Sequence, residues 1–342
     1  MVGCAVALAL ARRGADTVLL EAAGALAVGA SGTNAGILHT AFDAPPGELE
    51  TRLILRSTQL RDPVLAALAV PVRRCGALVR DADAALIARA RENGVEFAAR
   101  EDGSLEVPGE AITDPVAYTE ALALAAGTCG ATVRTGFRVN HVRPGPELID
   151  GDEAVRCRVA VNCAGLYADE VAHLFGDESF SIHPRKGEFV VFDGPELDRI
   201  LLPRTNGVPV FPTVDGKVVA GPTAIDQEDK EDWTVRPQAV DEVRRQAAAL
   251  LPVLADAEPV ATYAGLRPAG RGVGYLIRRA SEELINVAAI GSNGLSAALG
   301  IGEHVATLIL GERNEVPLPE LAPPHASEPW WQRSARRREE RV

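Results

Sequence analysis

Aromatic residues are scarce, at 4% of 342 residues, and methionine occurs once. A core with so few rings is filled by aliphatic side chains and alanine, which the 47% hydrophobic content supplies. Cysteine is scarce too: Cys4, Cys75, Cys129, Cys157 and Cys163 are odd in number and never spaced as C-x-x-C. That argues against a disulfide framework or a zinc site, leaves no metal expected, and suits reduced thiols in the cytoplasm. Positive charge is in deficit, with 35 Lys and Arg against 47 Asp and Glu and a net charge of −12. Phosphate backbones attract cationic surfaces, so nucleic acid is not an expected partner, whereas a small anion held by a local arginine is compatible. No apolar run reaches the roughly 18 residues of a membrane span, the longest running only from Val2 to Ala11.

What is there begins with MVGCAVALALARRGADTVLLEA. An export signal carries its positive charge before the apolar stretch, and here Arg12 and Arg13 follow it. The second reading is half of a nucleotide-binding unit: a small-residue helix, Gly14 as its stop, a strand from Thr17 to Leu20, then Glu21. In such a unit a carboxylate about 20 residues after the glycines binds a ribose hydroxyl, and Glu21 lies 18 residues after Gly3. Gly3 is then the last glycine of G-x-G-x-x-G, with the first strand and two earlier glycines expected upstream of Met1.

From Gly29 to Leu53 the chain reads GASGTNAGILHTAFDAPPGELETRL. Small residues with Ser31, Thr33 and Asn34 form a loop that lets backbone N–H groups approach a phosphate, ahead of a helical stretch from Gly47 to Leu60. Arg158 to Asn162 reads as a strand running into Cys163, Ala164 and Gly165, followed by a helix from Ala168. Leu284 to Ile290 is continuously apolar, as a strand buried on both faces requires, and Gly291, Ser292, Asn293 and Gly294 then open a small-residue helix. Between these parallel elements, Gly187 to Asp193, Pro209 to Pro212 and Lys217 to Gly221 are short strands separated by Asp-Gly and Gly-Pro turns, and a helix follows from Pro237 to Leu251.

Glu21 followed by GASGTNAGILHTAF and PGEL resembles the FAD-dependent oxidoreductases of the D-amino-acid oxidase superfamily, in the branch of glycerol-3-phosphate and L-2-hydroxyglutarate dehydrogenases. VNCAGLYADEVA (161–172), HPRKGEFVVFD (183–193), VFPTVDGKVVAGPTAIDQEDKED (210–232), YAGLRPAG (263–270) and INVAAIGSNGLSAALGIGEHVA (285–306) continue that resemblance in order to about Leu310. It implies an α/β fold in which a Rossmann-like FAD-binding domain is interwoven with an α+β substrate domain built on an antiparallel sheet. The expected division is 1–74, 112–180 and 260–312 for FAD, 75–111 and 181–259 for substrate, and 313–342 as a C-terminal tail. No internal repeat is visible. The segment from Arg80 to Pro115 is shorter than the corresponding region of the family.

The resemblance makes Gly3, Glu21, Ser31, Asn34, Ala164, Gly165, Gly291, Ser292, Asn293 and Gly294 the expected FAD contacts. The positive end of the helix after Gly294 would face the electron-rich side of the flavin and favour its reduced form. Oxidation at a flavin needs a base for the hydroxyl proton and a fixed cation for the substrate's anionic end. Arg267, in Gly-Leu-Arg-Pro, is the expected anion clamp, because a guanidinium binds carboxylate or phosphate as a fork; the alternative is a structural ion pair. Among six histidines, His39 alone falls in the glycine-rich flavin segment and is the expected base. Lys186, with His183 and Arg185, is expected to line the pocket, and Thr223 to add a polar contact.

The expected reaction is oxidation of a secondary alcohol on a small anionic substrate. GPTAIDQEDKED favours glycerol 3-phosphate, L-2-hydroxyglutarate is second and an amine substrate third. The electron acceptor, whether quinone, another carrier or oxygen, stays open, and a truncated weak flavin binder without catalysis is the alternative from another class. The last residues, WWQRSARRREERV, read as a solvated tail, whose basic character leaves a peripheral contact at the inner face of the membrane open.

Overall fold

The computed structural model describes residues 1–203, 207–323 and 328–336. Its principal elements in chain order are α1 (Val2–Arg12), β1 (Val18–Glu21), α2 (Leu49–Ala67), α3 (Pro115–Thr128), β2 (Thr132–Thr135), β3 (Ala160–Asn162), α4 (Ala168–Leu174), β4 (Ile182–Phe192), α5 (Pro237–Leu250), β5 (Pro259–Gly270), β6 (Leu284–Ala288), α6 (Gly294–Leu310) and α7 (Trp330–Arg336).

Two parallel strand pairs carry the Rossmann-like part. β1 pairs β2 from Val18↔Thr132 to Glu21↔Thr135, and β3 pairs β6 from Ala160↔Leu284 to Asn162↔Asn286. Helices α1, α3 and α6 bury a shared cluster that includes Cys4, Leu8, Tyr118, Leu122, Leu295 and Ala298. The small residues singled out in α6 have a packing purpose. A Cβ on Gly300 would lie 2.3 Å from the Leu53 carbonyl oxygen of α2, and one on Gly302 would lie 2.7 Å from the Ala5 carbonyl oxygen of α1. Both helices therefore approach α6 more closely than any side chain would allow.

The second part is a nine-stranded sheet, antiparallel except where Ile200–Leu202 runs parallel to Ala77–Val79. Its longest pairing is β4 with β5, antiparallel from Ile182↔Gly270 to Phe192↔Pro259. The strand expected to start at Gly187 thus begins five residues earlier, because partners on β5 are available throughout. Strands from 77–79, 98–99 and 105–107 join this sheet, so the chain crosses between the two parts more than once. A separate small sheet pairs Ile37–Leu38 with Ala111–Thr113.

Among the described residues, the C-terminal stretch is not a solvated tail. Val316 N donates to Arg12 O and Leu321 N to Ala67 O, which holds this stretch against α1 and α2. The two tryptophans expected in solvent open α7 and are only 1% and 4% exposed. Large apolar rings find a core when the chain can reach one, and here Trp330 meets the edge of Tyr263 at 5.6 Å. Residues 337–342, which end the predicted tail, lie outside the described residues.

Candidate active site

The segments expected to touch FAD converge at the carboxyl ends of the parallel strands, where α/β sheets place their ligands. Gly3 sits between β1 and the turn after β3: a Cβ there would meet Cys163 Cβ at 3.4 Å and Leu19 Cδ1 at 3.5 Å. Ser31 Oγ accepts from the Met1 amine at 3.1 Å. Asn34 braces its own loop by accepting from Gly36 N, and reaches the Ser292 carbonyl at 3.5 Å. Gly291 N donates to Pro268 O, and Asn293 donates to Glu50 Oε1 at 2.6 Å. Ala164 N donates to Asn162 Oδ1, and Glu21, ending β1, accepts from Ala23 N. Small residues that let backbone amides approach a phosphate, and one strand-end carboxylate that can accept from a ribose hydroxyl, are the groups that a dinucleotide cofactor needs, so the residues fit FAD.

His39 directly follows the strand Ile37–Leu38 at the end of the glycine-rich segment. The antiparallel register Ile37↔Ile112 and Leu38↔Ala111 brings it beside Glu110, although 71 residues separate the two. His39 Nδ1 lies 2.8 Å from Glu110 Oε2, while Glu110 Oε1 accepts from Thr40 N at 2.6 Å and Thr40 Oγ1 at 2.8 Å. Glu110 is fully buried, and an ionised carboxylate only accepts, so the proton of neutral His39 belongs on Nδ1. Nε2 then carries the lone pair, and it has no partner among the described residues. Burial works against a charged ring, but the charge and hydrogen bond of Glu110 outweigh it and raise the His39 pKa above its ordinary value. Burial likewise opposes ionisation of Glu110, and the His39 charge and the bonds from His39 and Thr40 overcome it and lower its pKa. Arg61 ties the same strand down by donating to the Leu38 and Gly109 carbonyls.

Arg267 lies on β5 directly opposite Arg185, with Gly265 opposite Gly187 on the same face of the sheet. A Cβ on Gly265 would lie 2.9 Å from Thr33 O, so this face is pressed against the glycine-rich loop. The Arg267 guanidinium donates to Arg185 O at 3.2 Å, Lys186 O at 3.4 Å and Thr223 O at 2.7 Å. Among the described residues no carboxylate pairs with it. Burial and then the neighbouring Arg185 charge lower its pKa to about 10, which Asp226 offsets in part. A half-buried cation held by carbonyls alone is short of negative charge. Gly291 to Ser296 links Arg267 and His39: Gly291 N reaches the residue after Arg267, and Ser296 Oγ accepts from His39 N at 2.8 Å.

Two predicted substrate contacts take other roles. Lys186 alternates to the opposite face of β4 from Arg267 and is 3% exposed, with its Nζ 2.7 Å from Asp232 Oδ2 and 3.2 Å from Thr234 O. It does not share the face of Arg267, because a one-residue step along a strand changes faces. The Thr223 hydroxyl donates to Glu188 Oε2 and accepts from Glu188 N, so what Thr223 offers Arg267 is its carbonyl. Of the cationic group around Lys186, Arg185 forms a fork onto Asp226 at 2.7 and 2.9 Å, and His183 Nε2 lies 3.3 Å from the same carboxylate.

Glu110 and Glu188 are absent from the sequence expectations. Glu110 directly precedes the strand Ala111–Thr113 and Glu188 lies within β4, in the runs GEAIT and KGEFVVF, and a buried carboxylate in such a run has to have a partner. Glu188 finds Arg236, which donates to it from its backbone N and from Nε at 2.9 Å each and from Nη2 at 2.5 Å. It thereby fixes the turn that carries Thr223.

A family model described as FAD dependent oxidoreductase, DAO, matches residues 1–308. A glycerol 3-phosphate dehydrogenase of Caloramator mitchellensis is 26% identical over 347 residues, covering 90% of this chain and 72% of that protein. A glycerol 3-phosphate oxidase of Mycoplasma pneumoniae is 24% identical over 356 residues, covering 90% and 92%. Among solved structures, the dithionite-reduced L-alpha-glycerophosphate oxidase of Mycoplasma pneumoniae with FAD bound shares the fold, with a TM-score of 0.83 at 23% identity over 93% of this chain and 94% of that one. The chain belongs to the DAO family of FAD-dependent oxidoreductases.

Proposed function

We propose that this FAD enzyme oxidises the secondary alcohol of a small anionic substrate, with glycerol 3-phosphate as first choice. The observation that carries the reading is Arg267: a half-buried guanidinium bonded only to carbonyl oxygens, on the sheet face that packs against the glycine-rich loop. Such a cation binds a phosphate or carboxylate as a charge-assisted fork and fixes the substrate's orientation. His39 takes the hydroxyl proton on Nε2, and Glu110, hydrogen-bonded to Nδ1, holds the ring in the tautomer that can do so and stabilises the cation that results. When bound, FAD supplies the acceptor for the electron pair of the substrate C–H bond. Gly3, Glu21, Ser31, Asn34, Ala164, Gly165 and the Gly291–Gly294 turn are the residues proposed to hold it.

The two relatives named for glycerol 3-phosphate support that choice of substrate. The test is anaerobic addition of glycerol 3-phosphate, L-2-hydroxyglutarate or an amino acid to the flavin-loaded protein. Loss of the oxidised flavin absorbance with glycerol 3-phosphate is expected. Bleaching by L-2-hydroxyglutarate alone would overturn the substrate and keep the clamp, whereas bleaching by an amino acid alone would overturn the alcohol chemistry as well.

A further inference from the structure

We propose that α7, the helix formed by the tryptophan-rich C-terminal segment, is a strap that holds the FAD loop in its binding shape. The loop from Gly24 to Asn34 is a succession of turns without regular structure, and its small residues have little apolar surface with which to fix themselves. Two of its carbonyls are bound by α7 instead. Arg333 Nη2 donates to Leu26 O at 2.9 Å, and the Ser334 hydroxyl lies 3.0 Å from both Gly32 O and Trp330 O, so its one proton is shared between the loop and the helix's own turn. Ser334 is itself buried, so this bond is shielded from water.

The loop has no slack at this point. A Cβ on Gly32 would fall 1.8 Å from Ala27 O, and on the loop's other side Thr33 abuts Gly265 of β5. The strap is in turn anchored in the sheet. Trp330 packs edge-on against Tyr263, which stacks on Phe189 of β4 at 4.6 Å, and Trp331 Nε1 donates to Asp215 Oδ2 at 3.0 Å. Arg333 also reaches Glu120 of α3 at 3.3 Å. One short helix therefore joins the sheet that carries Arg267 to the loop proposed to carry the cofactor. Ordering a loop costs conformational entropy at the moment of binding unless other contacts have already ordered it. The strap supplies those contacts, and FAD retention depends on them.

The inference rests on reading the Gly29–Asn34 segment as part of the FAD cradle, and the test separates the two ideas. FAD release from the holoenzyme is followed by the rise in flavin fluorescence on dilution, for Ser334→Ala, Arg333→Ala, Asn34→Ala and Trp331→Phe. Ser334→Ala and Arg333→Ala are each expected to release FAD about fivefold faster, the equivalent of one hydrogen bond. Trp331→Phe keeps an aromatic side chain but loses the bond to Asp215 that anchors the strap in the sheet, so it should lower the melting temperature and hasten release less than Ser334→Ala, which touches the loop itself. Faster release from Asn34→Ala with none from the two strap variants would overturn the strap and keep the cradle. Release as fast from Trp331→Phe as from Ser334→Ala would reduce the strap to general stability and overturn the proposal. Unchanged release in all three loop and strap variants would overturn the cradle and the strap with it.

Discussion

Replacing Glu110 by glutamine keeps the shape of a fully buried side chain and removes its charge. The wild-type carboxylate accepts three hydrogen bonds, two from Thr40 and one from His39. A glutamine has one oxygen. If it serves the two Thr40 donors, its NH2 faces His39 Nδ1, the imidazole proton moves to Nε2, and the nitrogen required as the base is blocked. If the oxygen turns to His39 instead, the NH2 confronts the Thr40 N–H and leaves buried donors unmatched, at a cost of about 1–3 kcal/mol. Positioned general bases contribute roughly 10²–10⁴-fold, so kcat should fall by at least about 100-fold while KM changes little. The pH profile adds a second readout. Glu110 raises the His39 pKa, so the wild type gains activity as pH rises through a value above the ordinary histidine range of about 6.5. Without that charge the opposing burial is left, and the acid limb moves to lower pH. The linked stability follows both partners: for His39 it is present below the ordinary histidine pKa and is lost as pH rises through the raised one, and for Glu110 it is present above the ordinary carboxylate range and is lost as pH falls through its lowered pKa. The assay is kcat and kcat/KM for glycerol 3-phosphate across pH. A limb that stays in place with kcat within about threefold of wild type, some 0.7 kcal/mol, would refute the dyad.

Arg267→Lys replaces the fork by a point charge and should raise KM for the anionic substrate by roughly tenfold or more in steady-state kinetics. Glu188→Gln cannot neutralise Arg236 and loosens the Thr223 turn, so KM should rise more than kcat falls, with thermal unfolding showing a loss of about 2 kcal/mol. Lys186→Met should leave KM unaltered, because Lys186 faces away from Arg267. Its effect should appear in acid unfolding: burial favours protonation of Asp232, yet the bonds from Lys186 and Thr234 hold its pKa down at about 2. That contribution is present above the ordinary carboxylate range and is lost as pH falls toward about 2, so the stability difference between wild type and variant should narrow there. Gly302→Ala drives a Cβ to within 2.7 Å of Ala5 O and should cost about 1–3 kcal/mol in thermal unfolding.

Local chemistry was legible without coordinates. A glycine-rich turn, a small-residue helix and an arginine fixed by flanking Gly and Pro owe their meaning to residues next to them in the chain. So the glycine-rich segments could be picked out from the sequence, with His39 and Arg267 as candidates within their motifs, and α6 could be identified as a helix of small residues. Strand ends were less legible, as Ile182–Phe192 shows, because a strand extends as far as its partner allows.

Tertiary structure decided what depends on register and distance in the chain. Lys186 and Arg267 carry the same charge and sit in adjacent motifs, yet the pairing of Lys186 with Leu266 puts them on opposite faces of one sheet. Glu110 becomes the partner of His39 only through the pairing of Leu38 with Ala111. The tryptophans of the C-terminal segment, read alone, suggest a solvated end, and only the packed sheet provides Tyr263 as a surface for them to cover. The sequence by itself determined the cofactor chemistry, since backbone-lined turns are written in short runs of small residues. Which charges share a sheet face with Arg267 and which are neutralised elsewhere was decided by strand register, a property of two segments at once.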